Sequence, residues 1–576
     1  MIIMMTSLLN ACSGGMLSLD TDSDSPIDKH PKDSLTDNSG GVNNPQDTPD
    51  TDNDSEISPS DDIISGTVRC LDGKGIAGVV VSDGLNAVMT DASGKYILPQ
   101  SEDFIPKFIF ISTPREYSAP VINGLPKFYK SWEECKNLKS VDFLVEPLLD
   151  PERYTLLIVA DPQIRSASVR SDKVAYHSID AMDDLFRDMR EYASSITERR
   201  RCYGVILGDI LHEDMGLFPT YLEQCASLDF PIYSVIGNHD HDTPAVGEDA
   251  QHQPYEKYLG PRNYSANLGR FHFISLDNIL FSPTGDRSYE IGVSDVDLQW
   301  LKNDLSFVPK EMQIVICSHS TMFMKSTGVD VHKQVQNGTE YADLLKGYTK
   351  VYNFAGHAHS SFNYVYAKDV SAADASLQNI EVHVVARSGG LLWLNEYVAN
   401  GGTPRGYLTC EIYGEKIEWK YRMIPYLSGT NMSDSVPPYS YRQWAYKNGV
   451  AYIGDSILRE SCQITAYGVG AYPDGCVYAN VYMWDEEWED VFLRMDSGRE
   501  YVMQRVPRGD AYEYDASEKE IFDHYNTNHP YFKDYGGEEI HDVRHLFRIK
   551  PDEKHGKGTI LVKDRFGEVF STSVSW

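Results

Sequence analysis

Five short stretches of the chain end in side chains able to hold a cation or pass a proton. "YTLLIVADPQ" ends at Asp161 and Gln163, and "CYGVILGDILHED" carries Asp209. "FPIYSVIGNHD" ends at Asn238 and His239, "MQIVICSHS" reaches His319, and "VYNFAGHAHSS" delivers His357 and His359. Each is an apolar run, a sharp break, and then a polar residue. The donors are carboxylates, amides and imidazoles with no thiolate, a set suited to hard or borderline divalent metals. There are too many of them for one four-coordinate ion. They suit two adjacent ions sharing a carboxylate, and Asp209 is the natural bridge because a carboxylate has two oxygens. Gly208, Gly237 and Gly356 let the backbone turn tightly beside such ions.

The elements that must position these donors are strands alternating with helices. "VAYHSIDAMDDLFRDMREYASSI" sets Ile179, Met182, Leu185, Phe186 and Met189 near i, i+3, i+4 spacing, the mark of an amphipathic helix. "VSDVDLQWLKNDL" offers Ser294 as N-cap before Leu298, Leu301 and Leu305. This alternation predicts a layered α/β domain. In open α/β sheets, ligands gather outside the carboxyl ends of the strands. Five such ends on one side of a sheet would converge their polar groups.

The ordered set D-x-Q, GD, GNHD, H, GHxH resembles the calcineurin-like metallophosphoesterase superfamily, over roughly Tyr154 to Met423. The flanking modules, with "RSGG" (Arg387–Gly390) and "GGTPRGY" (Gly401–Tyr407), resemble a bacterial three-part subgroup with an N-terminal transthyretin-like and a C-terminal β domain. The resemblance implies a four-layer α-β-β-α sandwich and a two-metal site. The first metal would take Asp161, Gln163, Asp209 and His359, the second Asp209, Asn238, His319 and His357. His239 would act near the leaving-group oxygen, with Asp240 orienting its ring. Asn238, His241 and Arg387 would contact substrate. Gln163 stands where the commonest family motif has His, which favours Mn or Fe among the candidate ions Mn, Fe, Mg and Zn. His177, His212, Glu213, Asp214 and His332 are further polar candidates.

The implied reaction is hydrolysis of phosphate mono- or diesters by a hydroxide bridging the metals, on a phosphorylated small molecule or glycan. Two rivals stand beside it. One is a catalytically silent surface lipoprotein that binds glycan or protein. The other is a pyrophosphate or nucleotide hydrolase of the same fold.

The 576-residue chain is too long for a single core and carries a formal charge of −33, which argues against a nucleic-acid-binding surface. Expected boundaries are a β-sandwich at 63–147, the catalytic domain at 148–425 and a mostly β module at 426–576. "ISGTVRCLDGKGIAGVVVSDGLNAVMTDASGKYILP" alternates apolar and polar residues between Gly/Asp turns, as sandwich strands do. Residues 1–12 end in "LNAC" and resemble a bacterial lipoprotein signal with Cys12 as the lipid-bearing residue, though no Lys or Arg precedes the apolar run. Residues 13–62 hold thirteen acids against two lysines and read as a disordered acidic tether. A cell-envelope lipoprotein, periplasmic or at the outer-membrane surface and held to the membrane only through Cys12, is the expectation. The other cysteines form no CxxC, and Cys462 and Cys476 are spaced so that they could pair.

Overall fold

Strands of a parallel sheet covered on both faces read as nearly unbroken apolar runs, and five such runs build the middle of this molecule. The structure, a computed structural model, describes residues 63–166, 178–196, 201–323, 331–366, 375–389, 403, 405–424, 463–468, 475–506 and 545–576. Residues 1–12 and 13–62, read above as a signal and a tether, lie outside the described residues, as do His177 and Cys462, on which the pairing with Cys476 depends.

The central region holds two sheets. The first has five strands in the order Ile232–Ser234, Arg201–Ile206, Arg153–Val159, Gly406–Tyr413, Lys416–Met423. Its first three strands are parallel, with Tyr154 beside Arg201 and Val159 beside Ile206, and the last two form an antiparallel hairpin on Arg153–Val159. The second has six strands, with Phe271–Leu276, Gln313–Ser318, Val351–Ala355 and Ile380–Val384 running parallel in its middle. The five donor-bearing runs are therefore divided, three on one sheet and two on the other, rather than aligned along a single sheet edge. They converge because the sheets pack face to face. Tyr233 meets Tyr264 at 6.0 Å and Phe273 at 5.4 Å between ring centroids, and Tyr154 donates its hydroxyl to the Leu268 carbonyl at 2.6 Å.

Helices close the outer faces. Ser178–Ser195 lays Met182, Leu185, Phe186 and Met189 onto Leu157, Val159 and Ile206 of the first sheet, while Ile179 is only half-buried. The same face carries buried Asp184 and Asp188. Asp184 accepts from Arg405 at 2.8 Å, and Asp188 accepts from Arg422 at 2.7 and 2.8 Å and from Tyr407 at 2.8 Å, so the helix is tied to the closing hairpin. Asp295–Leu305 covers the second sheet. Ser294 caps it, accepting from the Asp297 N–H at 3.1 Å. Its buried face is Asp297, Trp300, Leu301, Asp304 and Leu305, with Leu298 half-buried, a small rotation from the spacing in sequence. Asp304 fixes that rotation by pairing with Ser265 (2.7 Å) and His272 (2.8 Å) on the sheet.

The N-terminal region is two four-stranded sheets, and its strand Ile63–Cys70 alternates buried and more exposed residues as a half-buried strand should. The described C-terminal residues form two further four-stranded sheets around Val477, Val481, Leu493, Phe547 and Ile560. Arg565 joins that module to the central one through Glu381 at 2.8 Å and is held within its own module by Asp485 at 2.8 Å. Among the described residues no helix is long and apolar enough to cross a membrane.

Candidate metal centre

Every donor singled out above leaves the end of a parallel strand within a few residues. Asp161 and Gln163 follow Arg153–Val159, Asp209 follows Arg201–Ile206, and Asn238 and His239 form one short turn after Ile232–Ser234. His319 follows Gln313–Ser318, and His357 and His359 follow Val351–Ala355. The turns are tight enough to require glycine. A Cβ on Gly237 would sit 2.3 Å from Asp209 Oδ1, and one on Gly356 would sit 2.4 Å from Asp161 Oδ2. Five of the donors themselves adopt left-handed backbone: Asp161 (φ 50°), Gln163 (45°), Asp209 (49°), His357 (65°) and His359 (57°). Each costs on the order of 1–3 kcal/mol and persists only where the surroundings over-determine it, typically at a functional site.

Two donor groups meet at Asp209. On one side, Asp209 Oδ2 lies 2.7 Å from Gln163 Nε2, which is 3.1 Å from His359 Nε2, and that nitrogen is 3.5 Å from Asp161 Oδ1. On the other, Asp209 Oδ1 lies 3.2 Å from His319 Nε2, and both His319 Nε2 and His357 Nδ1 lie 3.0 Å from Asn238 Oδ1. His319 Nδ1 is 2.8 Å from the Leu207 carbonyl and donates to it, so in the neutral ring Nε2 presents a lone pair to these oxygens. Backbone N–H groups hold the carboxylates in place: His239 donates to Asp209 Oδ1 (2.9 Å), and His357 donates to both oxygens of Asp161 (3.1 and 3.2 Å).

The residues fit a divalent cation. Gln163 Oε1 is buried with no hydrogen-bond partner, and a half-turn of the amide would present it to Asp209 and His359 in place of Nε2. Asp161, Asp209 and His319 are buried together with ligand atoms within 4.8 Å of one another. Lone pairs crowded in this way are costly unless a proton or a cation lies among them.

The protein's own charges act accordingly. Burial works against ionisation of Asp209, yet His319 and His239 hold its pKa well below the usual carboxylate range. Burial likewise opposes charge on His319, but Asp209 carries its pKa up to about 9. Burial, then His319, push His357 down to about 3. Burial and then Asp209 push Asp240 up to about 7.

His239 sits at the edge of this cluster, 7% exposed, with Nε2 4.0 Å from Asp209 Oδ2. Its ring is not oriented by Asp240, and that expectation is corrected. The Asp240 carboxylate accepts from the backbone N–H groups of Ile210 (3.2 Å), Leu211 (2.8 Å) and Gly237 (2.9 Å), stapling two donor loops together. The carboxylate beside the ring is Glu213, 3.6 Å from His239 Nδ1, and His212 stacks on the other face at 4.1 Å and 17°. Glu213 follows the Asp209 run directly in "HED", which is the signal that could have promoted it. Arg287, beyond it, lies 3.6 Å from Glu213 and carries no motif in the sequence.

Two further residues expected to contact substrate, His241 and Arg387, are buried. His241 is 0% exposed, packs against His252 and Phe281, and donates from Nδ1 to the Gly237 carbonyl at 2.8 Å. Arg387 is 0% exposed and pairs by backbone with Ala160 beside Asp161, and its charge, after burial and His239, helps hold the pKa of His212 down. His332 is buried against Phe323 and Tyr366, apart from the cluster, and Asp214 binds Ser166 in a surface turn.

A layered fold with acid, amide and imidazole donors gathered at its strand ends defines the class, that of α/β proteins with a candidate metal centre at the sheet ends. Comparison with protein families gives the particular one. Residues 154–361 match the calcineurin-like phosphoesterase family, 62–148 the N terminal of calcineurin-like phosphoesterase, and 381–570 the C terminal of calcineurin-like phosphoesterase. The chain belongs to the calcineurin-like phosphoesterases that carry both extra regions. No curated protein matches it. Solved structures similar to it include a 5'-nucleotidase precursor from Thermus thermophilus (15% identity, TM-score 0.26, covering 47% of this chain and 54% of that one). Another is the 5'-nucleotidase from Candida albicans (12% identity, TM-score 0.27, covering 47% and 52%). This chain thus spans about half the length of those structures.

Proposed function

We propose that the protein hydrolyses phosphate esters at a centre of two divalent cations that share Asp209. One observation carries this reading: the two oxygens of Asp209 face different donor groups, Gln163 at 2.7 Å and His319 at 3.2 Å. Asp161, Gln163, Asp209 and His359 would hold one ion, and Asp209, Asn238, His319 and His357 the other. When bound, the pair would supply Lewis acidity, lowering the pKa of a coordinated water and neutralising phosphoryl charge.

The chain's own residues do the rest. His239 presents Nε2 toward the donor cluster and serves as the acid for the leaving oxygen. Glu213 keeps the proton on its Nδ1, and His212 stacks against the ring. Asp240 holds the Asp209 and Asn238 loops in register through three backbone N–H groups. The oxygen and imidazole donors, with a neutral amide at Gln163, favour Mn or Fe. The test is turnover of p-nitrophenyl phosphate by the full chain with Mn²⁺, Fe²⁺, Zn²⁺ or Mg²⁺. Metal-dependent, chelator-sensitive turnover supports the reading, and a folded protein silent with all four ions overturns it.

We place the protein in the cell envelope, on the strength of "LNAC" and the acidic segment behind it. Labelling with a radioactive fatty acid in a bacterial host, lost in Cys12→Ser, is the expected result. Equal labelling of both forms rules Cys12 out.

A further inference from the structure

His241, His252 and Asp277 come together from three elements: the loop after Ile232–Ser234, the helix Glu248–Leu259, and the end of the strand Phe271–Leu276. All three are buried, at 0%, 4% and 1% exposure, and each offers a ligand atom within 4.8 Å of the other two. His241 Nδ1 lies 2.8 Å from the Gly237 carbonyl and donates to it, which leaves Nε2 as the lone-pair nitrogen. That Nε2 is buried and has no hydrogen-bond partner. A metal-bound imidazole typically shows this arrangement, one nitrogen fixed by a carbonyl and the other bare. His252 Nε2 and Asp277 Oδ2 are 3.4 Å apart, close to the edge of a tetrahedron with metal–ligand bonds of about 2.0–2.1 Å. Thr243 Oγ1, two positions after His241, and Gln251 Oε1, one before His252, are also buried without partners.

The nearby cation Arg262 does not exclude a second one. It lies 2.9 Å from Asp277 Oδ2, the oxygen that also faces His252 and has a second lone pair, 2.8 Å from Asp297, 3.7 Å from Glu256 and 3.5 Å from Glu248, so negative charge remains in excess around it.

We propose that His241, His252 and Asp277 form a further divalent-cation site, separate from the Asp209 centre and of the zinc-like borderline class that two imidazoles and a carboxylate favour. Its work is structural. Through the bond from His241 to Gly237 it fastens the loop bearing Asn238 and His239 to the helix and strand beside it.

The experiment is metal counting by mass spectrometry on the full chain, loaded with Zn²⁺ and desalted. His252→Gln and Asp277→Asn should each carry one equivalent less than wild type. A chain with the Asp209 centre removed (Asp209→Asn with His319→Gln) should keep one equivalent, and Zn²⁺ should raise its melting temperature. Equal metal content in wild type and both single variants would show a purely hydrogen-bonded triad and overturn the site. Should either single variant fail to fold, the chain lacking the Asp209 centre decides alone: retention of one equivalent upholds the site, and none refutes it.

Discussion

His319 Nε2 and His357 Nδ1 face each other at 3.2 Å, each 3.0 Å from the same Asn238 oxygen. Two imidazole nitrogens and an amide oxygen in this arrangement repel unless something positive lies among them. Cation binding should therefore stabilise the fold measurably. At a concentration one hundred times the dissociation constant, a ligand specific to the native state adds about 2.7 kcal/mol. Thermal unfolding of the chelated protein should shift upward by several degrees on adding Mn²⁺, and the shift should be lost in His319→Ala. An unchanged melting temperature on addition of any divalent ion would count against the centre.

His239→Ala should lower kcat by roughly 10²–10⁴-fold, the usual range for a positioned general acid, while metal content stays at the wild-type level. Glu213→Gln should lower kcat less, about tenfold, with KM nearly unchanged, because it acts on the ring of His239 rather than on substrate. Steady-state kinetics with metal analysis of each variant separates the two roles.

Asp240→Ala should behave differently from both. Three buried N–H groups lose their acceptor, and each unsatisfied donor costs about 1–3 kcal/mol. Loss of stability and of bound metal together is expected. A variant that keeps wild-type stability and loses only kcat would return Asp240 to the acid–base machinery.

Gly237→Ala places a methyl group 2.1 Å from the Asp209 backbone nitrogen and 2.3 Å from its Oδ1, so the loop and the shared carboxylate must both move. Metal affinity should fall at least tenfold in a titration. Stability in chelator should fall as well, because the nearest clash is with backbone.

The seam between the central and C-terminal regions makes a pH prediction. Glu381 binds Arg565, Lys350 and His383; burial opposes its charge, but these partners hold its pKa below the ordinary 4.5. A depressed carboxylate contributes stability that is fully present above its unfolded value and is lost as pH falls toward the folded one. Glu381→Gln should therefore be less stable than wild type at pH 7, and the gap should narrow once pH drops below about 4.5. Denaturant melts of both forms from pH 7 to pH 4 and below provide the check. Arg565→Leu should cost about 3–5 kcal/mol at pH 7, since it leaves Asp485 buried without its cation and Glu381 with Lys350 as its cation.

The sequence by itself determined the donor types, their placement at the ends of apolar runs, and the layered α/β class. These are local properties: an apolar run ending in Gly-Asp or Gly-Asn-His is a strand end wherever it lies. The helix Ser178–Ser195 was legible for the same reason, although its buried Asp184 and Asp188 were not, because their partners Arg405 and Arg422 lie more than two hundred residues away. Tertiary structure alone decided the rest. It put three donor runs on one sheet and two on another, and it turned one oxygen of Asp209 to each donor group. It gave Glu213, not Asp240, to the ring of His239, and it drew His241 inward to His252 and Asp277. Adjacent residues in a tight turn point in different directions, and only the packing of distant elements settles which neighbour each side chain meets.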